Sequence, residues 1–134
     1  MSALNFLENE ILKLRLGKPL SITLPITPWL MIFTVMPNED GTGGVEVAGG
    51  GYNRVNVSSA FPTPNGTGLV ANTSDINQGT STASWGNAKG WGTNTAQTGT
   101  GIILEAHLFP GGGIDIPANQ PVIWPAGALI FESE

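Results

Sequence analysis

No cysteine occurs in this 134-residue sequence, so it can build neither a disulfide framework nor a thiolate metal site. Stability must then come from a hydrophobic core or from association with other chains, and a cysteine-free chain suits a reducing cytoplasm. Charge is also scarce. Charged residues make up 11% of the chain, against about 25% in an average soluble domain. Ten acids and five bases leave a net charge of -5 with no basic stripe, which argues against a nucleic-acid partner. No run of about 18 consecutive apolar residues is present, so no membrane-spanning helix is expected. Glu8 and Glu10 interrupt the apolar N-terminal stretch, which a secretory leader would not tolerate, and a soluble protein without a cleaved signal is expected.

The means of catalysis are equally thin. His107 is the single histidine, no Gly-x-Ser-x-Gly elbow accompanies it, and beside Glu105 on a half-buried strand it receives no catalytic role. Two carboxylates suffice for glycoside hydrolysis. Here, however, Glu39 and Asp40 fall in a Gly-rich turn, Glu46 and Asp75 stand alone, and Glu132 and Glu134 close the chain, so solvation of loops and ends is the expected role. The segment 38–41, Asn-Glu-Asp-Gly, lacks the alternating ligands and distal Glu of a calcium loop, and no metal is expected. The glycine triplets at 49–51 and 111–113 neither precede Lys-Ser/Thr nor open a helix, so they are turns and imply no cofactor. Three Asn-x-Ser/Thr matches, at Asn56, Asn65 and Asn72, are unremarkable in so Asn- and Thr-rich a chain.

What the chain does have is turn formers and enough apolar side chains for one core: 19 Gly, 10 Pro and 40% hydrophobic residues. A single domain over 1–134 is expected, with a helix at 3–16 and a β domain over about 20–132. The helix follows from Leu4, Leu7, Ile11 and Leu14, spaced three and four apart, with Leu12 and Leu16 widening the stripe. Ser2 or Asn5 offers a cap, acids lie early, Lys13 and Arg15 lie late, and Gly17 with Pro19 ends the run. Segment 29–36 reads as a central strand buried on both faces, and a further strand is expected at Tyr52–Val57. From Ser58 to Gly101 the polar, Gly-rich chain predicts short strands and long turns. A strand with one wetter face then runs from Ile102 to Phe109, followed by three closing strands at 114–116, 122–124 and 128–131. The resulting class is mainly β, an antiparallel sandwich or jelly-roll-like domain with one N-terminal α-helix.

Several stretches carry a resemblance. Segment 3–12 (Ala-Leu-Asn-Phe-Leu-Glu-Asn-Glu-Ile-Leu), segment 43–52 (Gly-Gly-Val-Glu-Val-Ala-Gly-Gly-Gly-Tyr) with Arg54-Val55, segment 72–76, segment 82–86 and the closing 125–129 are similar to those of small tailed-phage virion proteins of the phage tail-fibre family. One departure lies at Asn87–Asn94, where the family pattern implies an apolar strand and an Asp-bearing turn, so a shortened or remodelled strand is expected there.

The resemblance implies a non-enzymatic bacteriophage structural protein, resident in the virion and assembled in the host bacterial cytoplasm. Within that class the compact size favours a capsid-decorating, or cement, protein on the particle surface. A tail or tail-fibre-associated part is the first alternative, and a carbohydrate-binding module stacking sugars on its tryptophans is the second. The expected partners are further copies of the chain, with a trimer matching quasi-threefold capsid positions, and the major capsid protein or tail proteins. Candidate subunit or partner contacts are Leu4, Leu7, Ile11 and Leu14 on the helix, together with Trp91.

Overall fold

A computed structural model describes residues 3–133. Met1, Ser2 and Glu134 lie outside the described residues, and with them the capping role expected of Ser2 and the terminal carboxylate of Glu134. Helix α1 spans Asn5–Arg15, slightly shorter than the predicted 3–16. The difference at its start has a cause. Leu4 is extended because its N–H donates to the Leu104 carbonyl at 2.9 Å, and Ala3 bridges Glu105, so the chain enters the helix as an added strand residue. Asn5 is therefore the first helical residue rather than a cap, and its N–H donates to the Glu39 carbonyl at 2.9 Å. At the far end Gly17 takes φ +67°, and the Lys18 N–H closes back on the Lys13 carbonyl at 2.8 Å, the turn that a C-terminal glycine permits.

The remaining elements are strands: β1 Trp29–Val35, β2 Val45–Glu46, β3 Val55–Asn56, β4 Leu69–Ala71, β5 Ile76–Thr80, β6 Gly86–Ala88, β7 Gly90–Asn94, β8 Ile103–Leu108, β9 Ile114–Ile116, β10 Pro121–Trp124 and β11 Ile130–Glu132. The fold is thus mainly β with one helix near its N-terminus, and every strand pairing is antiparallel. A central sheet runs β2-β1-β7-β8, with β3 sharing the β1 edge occupied by β2. Three two-stranded ribbons, β5-β10, β4-β11 and β6-β9, complete it.

β1 is the strand expected from its apolar run, and Leu30, Met31, Ile32 and Phe33 are all buried. Leu30 and Ile32 point into the larger core with Val57, Trp85, Trp91, Trp124 and Leu129, which the ribbons cover. Met31 and Phe33 point the other way, into a smaller core with Leu4 and Ala106 under the start of α1. Two layers therefore flank one sheet, and the ribbons act as the second layer.

Two expectations need correction. The Tyr52–Val57 strand shrinks to Val55–Asn56, because glycines 49–51 all take positive φ and Tyr52 turns its hydroxyl inward to accept the Ile32 N–H at 2.9 Å. Segment 87–94 is not shortened: it supplies β6 and β7, and all five residues of β7 are buried between β1 and β8. Glycine makes that possible. A Cβ on Gly92 would strike the Glu105 carbonyl and lie 2.8 Å from Phe33 Cε2, so the bare backbone lets Phe33 lie across β7.

Polar side chains stitch the larger core together. Asn72 is buried and donates to the Ser74 and Pro125 carbonyls at 2.9 and 3.0 Å while accepting the Leu129 N–H at 2.9 Å. Gln78 donates to the Asn53 carbonyl at 2.9 Å and accepts the Trp124 indole N–H at 3.1 Å, which ties ribbon β5-β10 to the segment before β3. Both amide side chains have partners for donor and acceptor alike, so neither carries the penalty of an unpaired dipole.

Candidate assembly surface

The helical stripe divides between two environments. Leu4 is 2% exposed and Leu7 is half-buried, whereas Ile11 and Leu14 are 44% and 64% exposed. Leu12 and Leu16, which broaden the stripe, are 49% and 69% exposed. The first turn of α1 rests on β8, and the last turns extend past the sheet with an apolar surface that this chain leaves bare.

The overhang is held at a fixed angle by a polar latch. Glu10 is buried, and its Oε1 accepts the Ser21 N–H at 2.6 Å. Lys13 Nζ lies 3.0 Å from the second carboxylate oxygen and donates to Ser21 Oγ at 2.7 Å. Burial pushes the Glu10 carboxyl up, but Lys13 and the amides of Ser21 and Ile22 together outweigh it and hold the group below the usual range. The segment after Gly17 is thereby folded against the helix.

Beside the root of α1 lies an open groove of about 720 Å³. Its apolar lining comes from Leu4, Met36, Leu108 and Ile130. Its acids are Glu8, Glu39 and Glu132, all exposed. The groove follows the outer edge of β8, where Leu108 is 72% exposed.

Trp91 is placed differently from the helix residues. It is 7% exposed, stacks on His107 with ring centroids 4.1 Å apart, and meets Trp124 edge-on at 6.2 Å. Its ring therefore fills the core of its own chain and presents no platform to a partner or a sugar. His107 Nε2 lies 2.8 Å from Glu105 Oε1, and Thr93 Oγ1 donates to the other carboxylate oxygen at 3.3 Å. This polar chain rivets β7 to β8 across the sheet.

The motif 43–54 resolves as a buttress that the sequence did not reveal. Arg54 grips Glu46 with two parallel bonds, from Nε at 2.9 Å and from Nη2 at 2.8 Å. It also donates to the Ala96 and Gly99 carbonyls at 2.9 and 2.8 Å, which fixes the loop between β7 and β8. The Tyr52 hydroxyl donates to Glu46 at 2.6 Å, and burial followed by the neighbouring carboxylate drives its pKa well above the ordinary phenol range. The glycines between these residues were legible as turns; the ion pair between Glu46 and Arg54 has no local spacing signal.

Asp40, in the segment with a faint calcium flavour, is turned to closing its own loop. Its Oδ1 accepts the Thr42 hydroxyl at 2.6 Å and the Thr42 N–H at 3.0 Å, and those bonds lower its pKa. Among the described residues no group of three or more His, Asp or Glu side chains could hold a metal ion, and no helix is long and apolar enough to cross a membrane.

Comparison with known proteins gives one result on which identity turns. A family model described as Podophage GP4 fiber I protein gp80 matches residues 2–112. The chain belongs to this gp80 family. The match takes in α1, the Glu46–Arg54 buttress and the central sheet, and ends in the turn before β9. No curated protein matches the chain.

Proposed function

We propose that this chain is a structural component of a bacteriophage virion, a fibre-type part attached at or near the tail that acts by shape and self-association. The observation that carries the reading is the gp80 family match over residues 2–112, whose name is that of a fibre protein. The surface agrees with it: apolar side chains gather at the end of α1 and along the groove. Its partners in this reading are further copies of itself and neighbouring tail proteins, met after folding in the host bacterial cytoplasm.

A capsid-decorating role is the second reading, favoured by compactness. A chain of this length folds to a radius of gyration of roughly 14 Å, too short to span from particle to host by itself. The major capsid protein would then be the partner, and a trimer the natural oligomer at threefold positions. Cryo-electron microscopy of the particle, with quantitative mass spectrometry of its proteins, separates the two. A fibre-type part appears as a few copies at the tail. A cement protein appears over the shell in numbers comparable with the capsid protein, which would overturn the first reading.

A further inference from the structure

Two surfaces of this chain are apolar and opposite in charge. The free end of α1 exposes Ile11, Leu12, Leu14 and Leu16 and gathers Lys13, Arg15 and Lys18, three of the five basic residues in the protein. Lys13 is engaged with Glu10. Arg15 and Lys18 have no carboxylate within ion-pair distance among the described residues. The groove beside the helix root pairs its aliphatic lining with Glu8, Glu39 and Glu132, which likewise have no cationic partner among the described residues. The other titratable group lining it is His107, which faces Glu105.

We infer that the free end of α1 in one copy seats in the acidic groove of a second copy, a head-to-tail contact. It rests on the fibre-type reading above and names the surface that performs it. The contact must be between copies, because Glu8 belongs both to the groove wall and to α1. At a rise of 1.5 Å per residue, Leu16 stands about 12 Å farther along the same rigid helix and cannot fold back into the groove. Burial of the aliphatic side chains supplies attraction, and the opposed charges set the direction of docking. A heterologous contact of this kind closes into a ring or propagates as a filament, depending on the rotation between copies. Propagation gives a compact domain the reach that it lacks alone.

The test uses charge reversal at exposed positions. Variant one carries Arg15→Glu and Lys18→Glu; variant two carries Glu39→Lys and Glu132→Lys. Size-exclusion chromatography with light scattering should show concentration-dependent self-association of the natural chain, weakened by salt. Each variant alone should associate about tenfold more weakly or worse, with an unchanged circular dichroism spectrum. An equal mixture of the two should recover association, since every unlike contact again joins opposite charges. A natural chain that stays monomeric at high concentration, variants that associate as it does, or a mixture that fails to recover would each overturn the contact. Particle composition keeps the two claims apart. A protein present at the tail yet monomeric in this assay defeats the head-to-tail contact alone, whereas one that associates but is missing from particles defeats the fibre-type reading.

Discussion

The two halves of α1 carry the same kind of side chain and meet opposite fates. Leu4, at the entrance, is sealed against Met31, Phe33 and Ala106, while Leu14, on the same stripe, stands 64% exposed beyond the sheet. The periodicity of a helix states which face is apolar, and the length of the surface beneath it decides how much of that face is covered. Here β8 supports only the first turns. The covered half serves the fold, and the uncovered half is available for assembly.

Breaking the floor beneath the covered half should have the largest effect. Gly92→Val places a Cβ against the Glu105 carbonyl and Phe33, so β7 cannot keep its position; destabilisation beyond about 3 kcal/mol, or failure to fold, is expected in a denaturant melt. Leu4→Ala should cost about 2–5 kcal/mol, as truncation of a fully buried aliphatic side chain does. A smaller effect lies at the junction of the halves. Because the Glu10 carboxyl titrates below its ordinary value in the folded chain, the latch is fully formed at neutral pH. Its contribution is lost as pH falls through that lowered value. Protection of the Ser21 amide from hydrogen exchange, taken relative to the intrinsic rate at each pH, should therefore fall in acid, and Glu10→Gln should remove that loss of protection. The smallest change in stability belongs to the overhang: Leu14→Ser should shift unfolding by no more than about 0.5 kcal/mol.

How far the sequence disclosed this arrangement depended on whether local chemistry and burial agreed. In β1 they did, since an uninterrupted apolar run lies buried on both faces. β9, β10 and β11 were likewise bounded by visible turn residues. In β7 they disagreed. The polar, glycine-rich segment 90–94 suggested a shortened or remodelled strand, yet it forms a full, buried central strand, because small residues admit Phe33 from the neighbouring strand and Asn94 is satisfied by the Ala96 N–H and the Thr100 carbonyl. Trp91 was expected at a contact between chains and lies instead in the core, since its aromatic partners His107, Trp124 and Phe131 come from distant segments. The helix stripe was legible as a face; its division was not, for it depends on where β8 lies. The groove joins residues from α1, β8, β11 and the loop after β1, so no spacing in the chain could have announced it.

The most direct measurement follows one substitution through both fold and particle. Leu14→Asp, introduced into the phage, should leave the thermal unfolding of the purified chain within a few degrees of the original and sharply reduce the amount of this protein retained on virions. A large drop in unfolding temperature would show that the overhang is part of the chain's own core. Unchanged stability together with full retention on particles would show that the bare end of α1 takes no part in assembly.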